Sequence, residues 1–222
     1  MAHAAGLETA FFASKTKFVL FQQSYPAQID QYVSSSPAAM HASLLAALGA
    51  SHFDYVFVHY ANPDDAGHDS GWGGSAWNAA VRAVDDDLAE LFALIQSDPE
   101  LHERTLVILS ADHGGTGTGH SDVTLAANYT IPFLVWGDGV QASADLYALN
   151  PVTRANPGTS RPSYTASVQP IRNGDGANLA LRALGLAPVP GSTINVAQEL
   201  ATSSLPPPQP IPVFPARGAD PQ

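Results

Sequence analysis

Two clusters of carboxylate and imidazole side chains are the groups in this sequence best suited to chemistry. One is NPDDAGH at residues 62–68; the other is SADHGG at residues 110–115, followed by GHSD at residues 119–122. Carboxylate oxygen and imidazole nitrogen together are a ligand set for zinc or manganese. The glycines let the backbone adopt positive φ and approach a bound ion closely. One Asp-His pair alone more often marks a hydrogen-bonded turn, but two pairs and a third histidine indicate a metal site.

Each cluster directly follows an apolar segment that is typical of a buried β-strand. The segments FDYVFVHY and TLVILSAD precede the two clusters, and IPFLVWGD follows the second. Nearly continuous apolar runs suit central strands of a sheet that is covered on both faces, with chemistry at the strand ends. The predicted strands are Lys17–Gln22, Phe53–His59, Thr105–Ser110 and Ile131–Trp136.

Predicted helices alternate with these strands and complete the expected architecture. They span Pro37–Leu48, Ser75–Ser97 and about Gly174–Leu184. The second is the clearest, because its apolar residues repeat at steps of three and four: Val81, Val84, Leu88, Leu91, Phe92 and Ile95. The order of elements predicts an α/β fold, a three-layer sandwich with a largely parallel central sheet.

Composition narrows the classes of function. With 222 residues, the chain suits one domain with a real core, which we place at residues 1–204; the proline-rich residues 205–222 are expected to be an extended or disordered tail. The net charge of -11 disfavours binding to nucleic-acid polymers or anionic membranes. The chain has no cysteine, hence no thiolate ligand, and no apolar run approaches the roughly 20 residues of a membrane span.

The order of these motifs resembles the alkaline phosphatase superfamily, and within it most closely the type I phosphodiesterase/nucleotide pyrophosphatase branch. The strings DYVFVHYANPDDAGHDSGW, TLVILSADHGG and IPFLVWGDG carry the resemblance, which covers roughly residues 6–200. It implies an alkaline phosphatase-like sandwich and a metal-dependent activity on phosphoric esters.

The resemblance also implies a site for two divalent metal ions, zinc ahead of manganese, held by Asp64, His68, Asp112, His113 and His120. Asp64 and His68, four residues apart, would bind the first ion together with His120. The adjacent pair Asp112 and His113 would bind the second. The position of His120, close before ANYTIPFLVW, is similar to that in the phosphomutase branches, whereas the nucleotide pyrophosphatases place this histidine much further along.

Four further residues remain open at this stage. Asp65 is the alternative to Asp64, although the spacing to His68 favours Asp64. Asp122 would either orient His120 or be a solvated loop residue. His59 and Trp72 would either line the pocket or only pack against it.

One unit of the family pattern is not found. The family's chemistry uses a strand that ends in another metal-binding Asp and is followed by a Thr or Ser nucleophile at a helix start. Only 16 residues precede Lys17, and the segment from Gly6 to Phe18 is similar to a stretch that lies after the nucleophile. We therefore expect a fold incomplete at its N-terminus, the C-terminal portion of a longer enzyme, with no catalytic nucleophile identified.

The function expected from the resemblance is metal-dependent hydrolysis of small-molecule phosphoric esters, as a phosphodiesterase or phosphatase, by the complete enzyme. The alternative is a non-catalytic metal-binding fragment or pseudoenzyme, whose motivation is the missing nucleophile unit. Sulfatase-like and phosphomutase-like relatives are lesser alternatives. Location in the periplasm or outside the cell is an expectation from the family alone.

Overall fold

The strands of the computed structural model, which describes residues 1–204, form two sheets. They are β1 (Thr9–Ala13), β2 (Gln31–Ser34), β3 (Tyr55–His59), β4 (Leu106–Ser110) and β5 (Phe133–Gly137). Strand β1 lies between β2 and β3 and runs parallel to both, whereas β4 and β5 pair antiparallel. In the three-stranded sheet Ala13 lies opposite His59, so the polypeptide leaves β1 and β3 at the same edge.

The helices lie on both faces of the strands. They are α1 (Val19–Ser24), α2 (Pro37–Ala50), α3 (Asn62–Ser70), α4 (Ser75–Ser97), α5 (Pro99–His102), α6 (Leu146–Leu149) and α7 (Asp175–Ala183). Alternate residues of a strand point to opposite faces. On one face Phe12 packs with Met40 of α2 and Ile95 of α4. On the other face, Phe11 of β1 stacks on Phe57 of β3. Its ring also contacts those of Phe18, just before α1, and Phe21, within α1.

The α/β prediction is confirmed, and the three long helices lie close to their predicted bounds. The predicted strand Lys17–Gln22 is wrong: a 3-10 helix at Thr16–Phe18 leads there into α1. Phe18 and Phe21, three residues apart, both reach the ring of Phe11, which a helical turn permits and strand alternation does not. The strand of this region is the fully buried β1 just before it. The predicted tail at residues 205–222 lies outside the described residues.

None of the helices within residues 1–204 combines the length and the apolar character that crossing a membrane requires.

A buried ionic network holds the C-terminal part of the described chain. The guanidinium of Arg154 bonds Oδ1 of Asp175 and Oε1 of Glu199, each at 2.6 Å. Asp175 begins α7 and is completely buried, and its other oxygen accepts the backbone N–H of Arg172 at 2.7 Å. Burial raises the pKa of Glu199, but the hydrogen bond and charge of Arg154 outweigh it and keep this pKa below its ordinary value. The network thus ties three distant positions of the chain together.

We expect Arg154→Met to destabilise the fold strongly, by about 3–5 kcal/mol, because it leaves the buried Asp175 carboxylate without its cation. Urea denaturation followed by circular dichroism measures the loss. The control is Arg161→Met, since Arg161 is exposed, and its guanidinium bonds the carbonyl of Val123 and lies over the ring of Tyr129. Equal losses of unfolding free energy in the two variants would contradict the structural role of the network.

Candidate metal centre

The carboxyl ends of β3 and β4 bring the two clusters of the sequence together. Helix α3 begins three residues after β3, so Asp64 lies in its first turn and His68 one turn later on the same face. Nε2 of His68 is 3.4 Å from Oδ1 of Asp64. Three residues after β4, His113 reaches the same oxygen, with its Nε2 at 3.6 Å. Oδ1 of Asp64 is therefore the point where the two segments converge.

His120 joins this centre by stacking. Its ring lies parallel to that of His113, with centroids 3.7 Å apart, and edge-on to that of His68 at 5.1 Å. One ligand atom from each of Asp64, His113 and His120 lies within 4.8 Å of the other two. The sequence grouped His120 and Asp64 about one ion and His113 about another, whereas the stacked rings place all three within reach of a single ion.

The hydrogen bonds of the imidazoles determine which ring nitrogens are free. Nδ1 of His68 lies 3.1 Å from the carbonyl oxygen of Thr118, and Nδ1 of His113 lies 2.9 Å from that of Gly114. A carbonyl oxygen only accepts, so Nδ1 carries the proton in both rings, and in the neutral imidazole Nε2 holds a lone pair. Metal-binding histidines are typically oriented by a hydrogen bond of this kind through the other ring nitrogen.

The carboxylate of Asp64 supplies the observation that tests the fit of a metal ion. Its Oδ1 is buried and has no hydrogen-bond partner among the described residues, and it faces the Nε2 lone pairs of His68 and His113. Lone pairs that face one another repel unless a cation lies among them. The mixed oxygen and nitrogen donors suit a divalent ion such as zinc. The residues therefore fit the metal that the sequence predicts.

The remaining predicted residues lie at the margin of the centre. Oδ2 of Asp112 is 3.6 Å from Nε2 of His113, and 68% of its side chain is exposed. The side chain of Asn173, before α7, donates to the backbone carbonyl of Asp112 at 3.2 Å. Asp65 points away, with 60% of its side chain exposed. Oδ1 of Asp122 accepts from the backbone and hydroxyl of Thr124, which is the solvated-loop arrangement.

Trp72 holds the two ligand-bearing segments against each other. Its indole lies between Gly67 of α3 and Gly115, so close that a Cβ on either glycine would fall 2.4 Å or 2.1 Å from the ring. The backbone N–H of Trp72 donates to the carbonyl of Gly117 at 2.8 Å. The indole also contacts His68 and His120 edge-on, with centroids 5.0 Å and 5.9 Å away. Trp72 thus packs against His68 and His120 and helps to fix the positions of their rings.

Sequence reasoning missed Lys15, whose ammonium bonds Oδ2 of Asp64. Burial raises the pKa of Asp64, but the hydrogen bond and charge of Lys15 outweigh it and hold this pKa below its ordinary value. The signal that could have found Lys15 is its rarity, since an acidic chain has its two lysines at positions 15 and 17. The wrong strand prediction, Lys17–Gln22, put Lys15 before a strand, whereas in the structure it follows β1.

His59 lies at the end of β3, where its ring packs against Phe18 with centroids 4.4 Å apart. Burial lowers its pKa, an effect that the charge of Asp112 opposes and those of Lys15 and Lys17 reinforce. Its backbone carbonyl accepts the hydroxyl of Ser14, as described below.

The chain is similar to one protein family and to several solved structures. The family model described as "Type I phosphodiesterase / nucleotide pyrophosphatase" matches residues 10–168. No curated protein sequence matches the chain. Solved structures that resemble it include a phosphoglycerate mutase of Leishmania mexicana at low cobalt concentration, with 20% identity and a TM-score of 0.43. That similarity covers 63% of this chain and 31% of the mutase, so the chain spans about a third of the mutase's length.

We expect Gly115→Ala to separate the two ligand-bearing segments, because the indole of Trp72 is blocked on its other side by Gly67 and cannot move away from a new Cβ. Overpacking of this kind costs roughly 1–3 kcal/mol. The control is Gly119→Ala, where a Cβ meets nothing within 4 Å and φ is not positive. Thermal unfolding of both variants measures the difference, and an unchanged midpoint for Gly115→Ala would contradict the close contact with Trp72.

Proposed function

The chain belongs to the type I phosphodiesterase/nucleotide pyrophosphatase family, and on that premise we propose that the complete protein hydrolyses phosphoric esters with divalent metal ions held at this centre. The single observation that carries the proposal is the convergence of Oδ1 of Asp64 with Nε2 of His68 and His113, without a hydrogen bond among them. This family is metal-dependent, and the donor set favours zinc, with manganese as the second choice.

In this proposal Asp64, His113 and His120 form the shared core of the site. His68 adds a fourth ligand beside Asp64, and the exposed Asp112 is available for a second ion on the outer side of His113. Divalent cations bound here would polarise phosphoryl oxygens and lower the pKa of an attacking hydroxyl. A chain with net charge -11 also depends on local positive charge to attract an anionic ester.

Contacts within the protein orient the imidazole rings of the proposed site. The carbonyls of Thr118 and Gly114 fix the ring flips of His68 and His113, and Trp72 supports the rings from behind. The centre is partly open, because about half of the His68 side chain is exposed. This opening would admit a small-molecule phosphate ester, as monoester or diester.

A second candidate function is metal binding without turnover. The hydroxyl of Ser14, the residue before Lys15, donates to the carbonyl of His59 at 3.0 Å and accepts from the N–H of Ala61 at 2.8 Å. A hydroxyl committed to both bonds is poorly placed to act as a nucleophile. This candidate predicts stoichiometric zinc with no hydrolysis by the 222-residue chain.

We expect His113→Ala to abolish zinc uptake and any hydrolysis, because Nε2 of His113 lies 3.6 Å from a carboxylate oxygen of both Asp64 and Asp112. The loss of affinity should exceed the roughly 10- to 100-fold that removal of an outer partner costs. Metal content by mass spectrometry and hydrolysis of bis-p-nitrophenyl phosphate and p-nitrophenyl phosphate measure the two effects. His102→Ala, at the exposed end of α5, is the control. Hydrolysis that survives in His113→Ala would contradict the proposal, whereas zinc without hydrolysis in the unaltered chain would favour the second candidate.

Asp64→Asn and Asp65→Asn form a matched pair of neighbours. We expect Asp64→Asn to reduce zinc affinity at least about tenfold, because an amide is a much weaker zinc ligand than a carboxylate. Asp65→Asn should keep it within about twofold, because exposed pairs such as Asp65 with Lys15 contribute little. Zinc titration against a chelating dye measures both affinities. A greater loss in Asp65→Asn would reverse the assignment of the ligand.

A further inference from the structure

Lys15 contacts a carboxylate of the proposed metal centre, and nothing in the expected ligand set accounts for it. Its Nζ bonds Oδ2 of Asp64 and lies 3.6 Å from Oδ1 of Asp65. Only a quarter of the Lys15 side chain is exposed. The contact joins an ammonium group to a carboxylate. Lys15 is therefore a charged partner of Asp64.

The backbone fixes Lys15 in this position. The preceding residue, Ser14, donates its N–H to the carbonyl of His59 at 3.1 Å. Its hydroxyl donates to the same carbonyl and accepts the N–H of Ala61. These three bonds join the end of β1 to the turn between β3 and α3, three residues before Asp64. Because Asp64 follows Ala61 by only three residues, these bonds hold the ammonium of Lys15 close to the carboxylate of Asp64.

The two oxygens of Asp64 consequently face opposite partners. Oδ2 faces the ammonium of Lys15, whereas Oδ1 faces the free nitrogens of His68 and His113. A divalent cation held through Oδ1 and the ammonium held through Oδ2 would share one carboxylate. Their like charges would repel at close range in a partly buried site, where screening by water is reduced.

We propose that Lys15 is an internal competitor for Asp64, so that its ammonium lowers the affinity of the centre for divalent cations below what the ligands alone would give. This inference rests on the proposed metal centre. The ammonium neutralises Asp64 whenever the cation leaves, and the cation must overcome that ion pair when it returns. The competition therefore favours a metal ion that is bound less tightly and exchanges with the solution. The ions whose binding Lys15 would weaken are small divalent cations.

The test is the dissociation constant for zinc, measured at one fixed pH by competition with a chelating dye, for the full chain and four variants. We expect Lys15→Met to bind zinc about tenfold or more tightly, because a repelling charge is removed. Lys15→Gln should also bind more tightly, since it keeps a hydrogen-bond donor but not the charge. Lys15→Arg should resemble the unaltered chain. Lys17→Met is the matched control, because Lys17 is exposed and its ammonium lies 5.7 Å from the centroid of the Phe18 ring.

Thermal unfolding in the presence of a chelator adds a readout that is independent of turnover. Lys15→Met should unfold at a lower temperature than the unaltered chain, since Asp64 loses its counter-charge, and should gain more from added zinc. If Lys15→Met does not fold, Lys15→Gln carries the same comparison.

The failure of this inference is distinguishable from the failure of the proposed function. Equal or weaker zinc binding by Lys15→Met and Lys15→Gln, with zinc bound by the unaltered chain, would overturn the role of Lys15 and leave the metal centre standing. Absence of zinc binding from the unaltered chain and all variants would overturn the metal centre and the inference together.

Discussion

The carboxylate of Asp64 is the group on which the arrangement of this centre depends. One of its oxygens is buried among imidazole nitrogens that cannot donate to it, and the other accepts from Lys15. A carboxylate in this position is stable only if positive charge reaches both sides. The fold provides one charge through a lysine, and the imidazole side is suited to a metal cation. The proposed metal-dependent function and the proposed competition by Lys15 both follow from this need for positive charge around Asp64.

The scaffold meets that demand with elements that are distant in sequence. Parallel pairing of β1 with β3 brings Lys15 and the start of α3 to the same edge, and Ser14 fastens them. The indole of Trp72, held between Gly67 and Gly115, sets the distance from α3 to the segment that carries His113. Neither Ser14 nor Trp72 is a candidate ligand, yet both help to fix the positions of the candidate ligand atoms.

Much of this was predictable from the sequence because periodicity and spacing are local properties. The strands that precede Asp64 and Asp112 and the long helix α4 followed from such patterns, whereas the set of five ligand candidates came from the family resemblance. The preference for Asp64 over Asp65 came from the same resemblance, in which the Asp and the His are four residues apart. In the structure Oδ1 of Asp64 lies 3.4 Å from Nε2 of His68, whereas Oδ1 of Asp65 lies 3.6 Å from the ammonium of Lys15. The choice of ligand stays a prediction.

What could not be predicted depends on tertiary contacts. The apolar run at residues 17–22 has the composition of a strand, but packing on Phe11 makes it helical. The stacking of His113 on His120 brings together loop positions whose spacing does not determine their distance. The role of Lys15 required knowing that β1 and β3 are neighbours. In each case a contact made in the folded chain, and not the local spacing of residues, decided the outcome.

The network around Arg154 has a consequence for how the C-terminal part of the described chain responds to acid. In a chain without cysteine, its two ionic bonds act as cross-links that close segments between positions 154 and 175 and between 154 and 199. A disulfide holds at any proton concentration, whereas these links require ionised carboxylates. Because Arg154 lowers the pKa of Glu199 relative to the unfolded chain, the stability that this link adds is complete above the ordinary carboxyl pKa. It is lost as the pH falls through the lowered value, so acid reversibly opens the closure between positions 154 and 199.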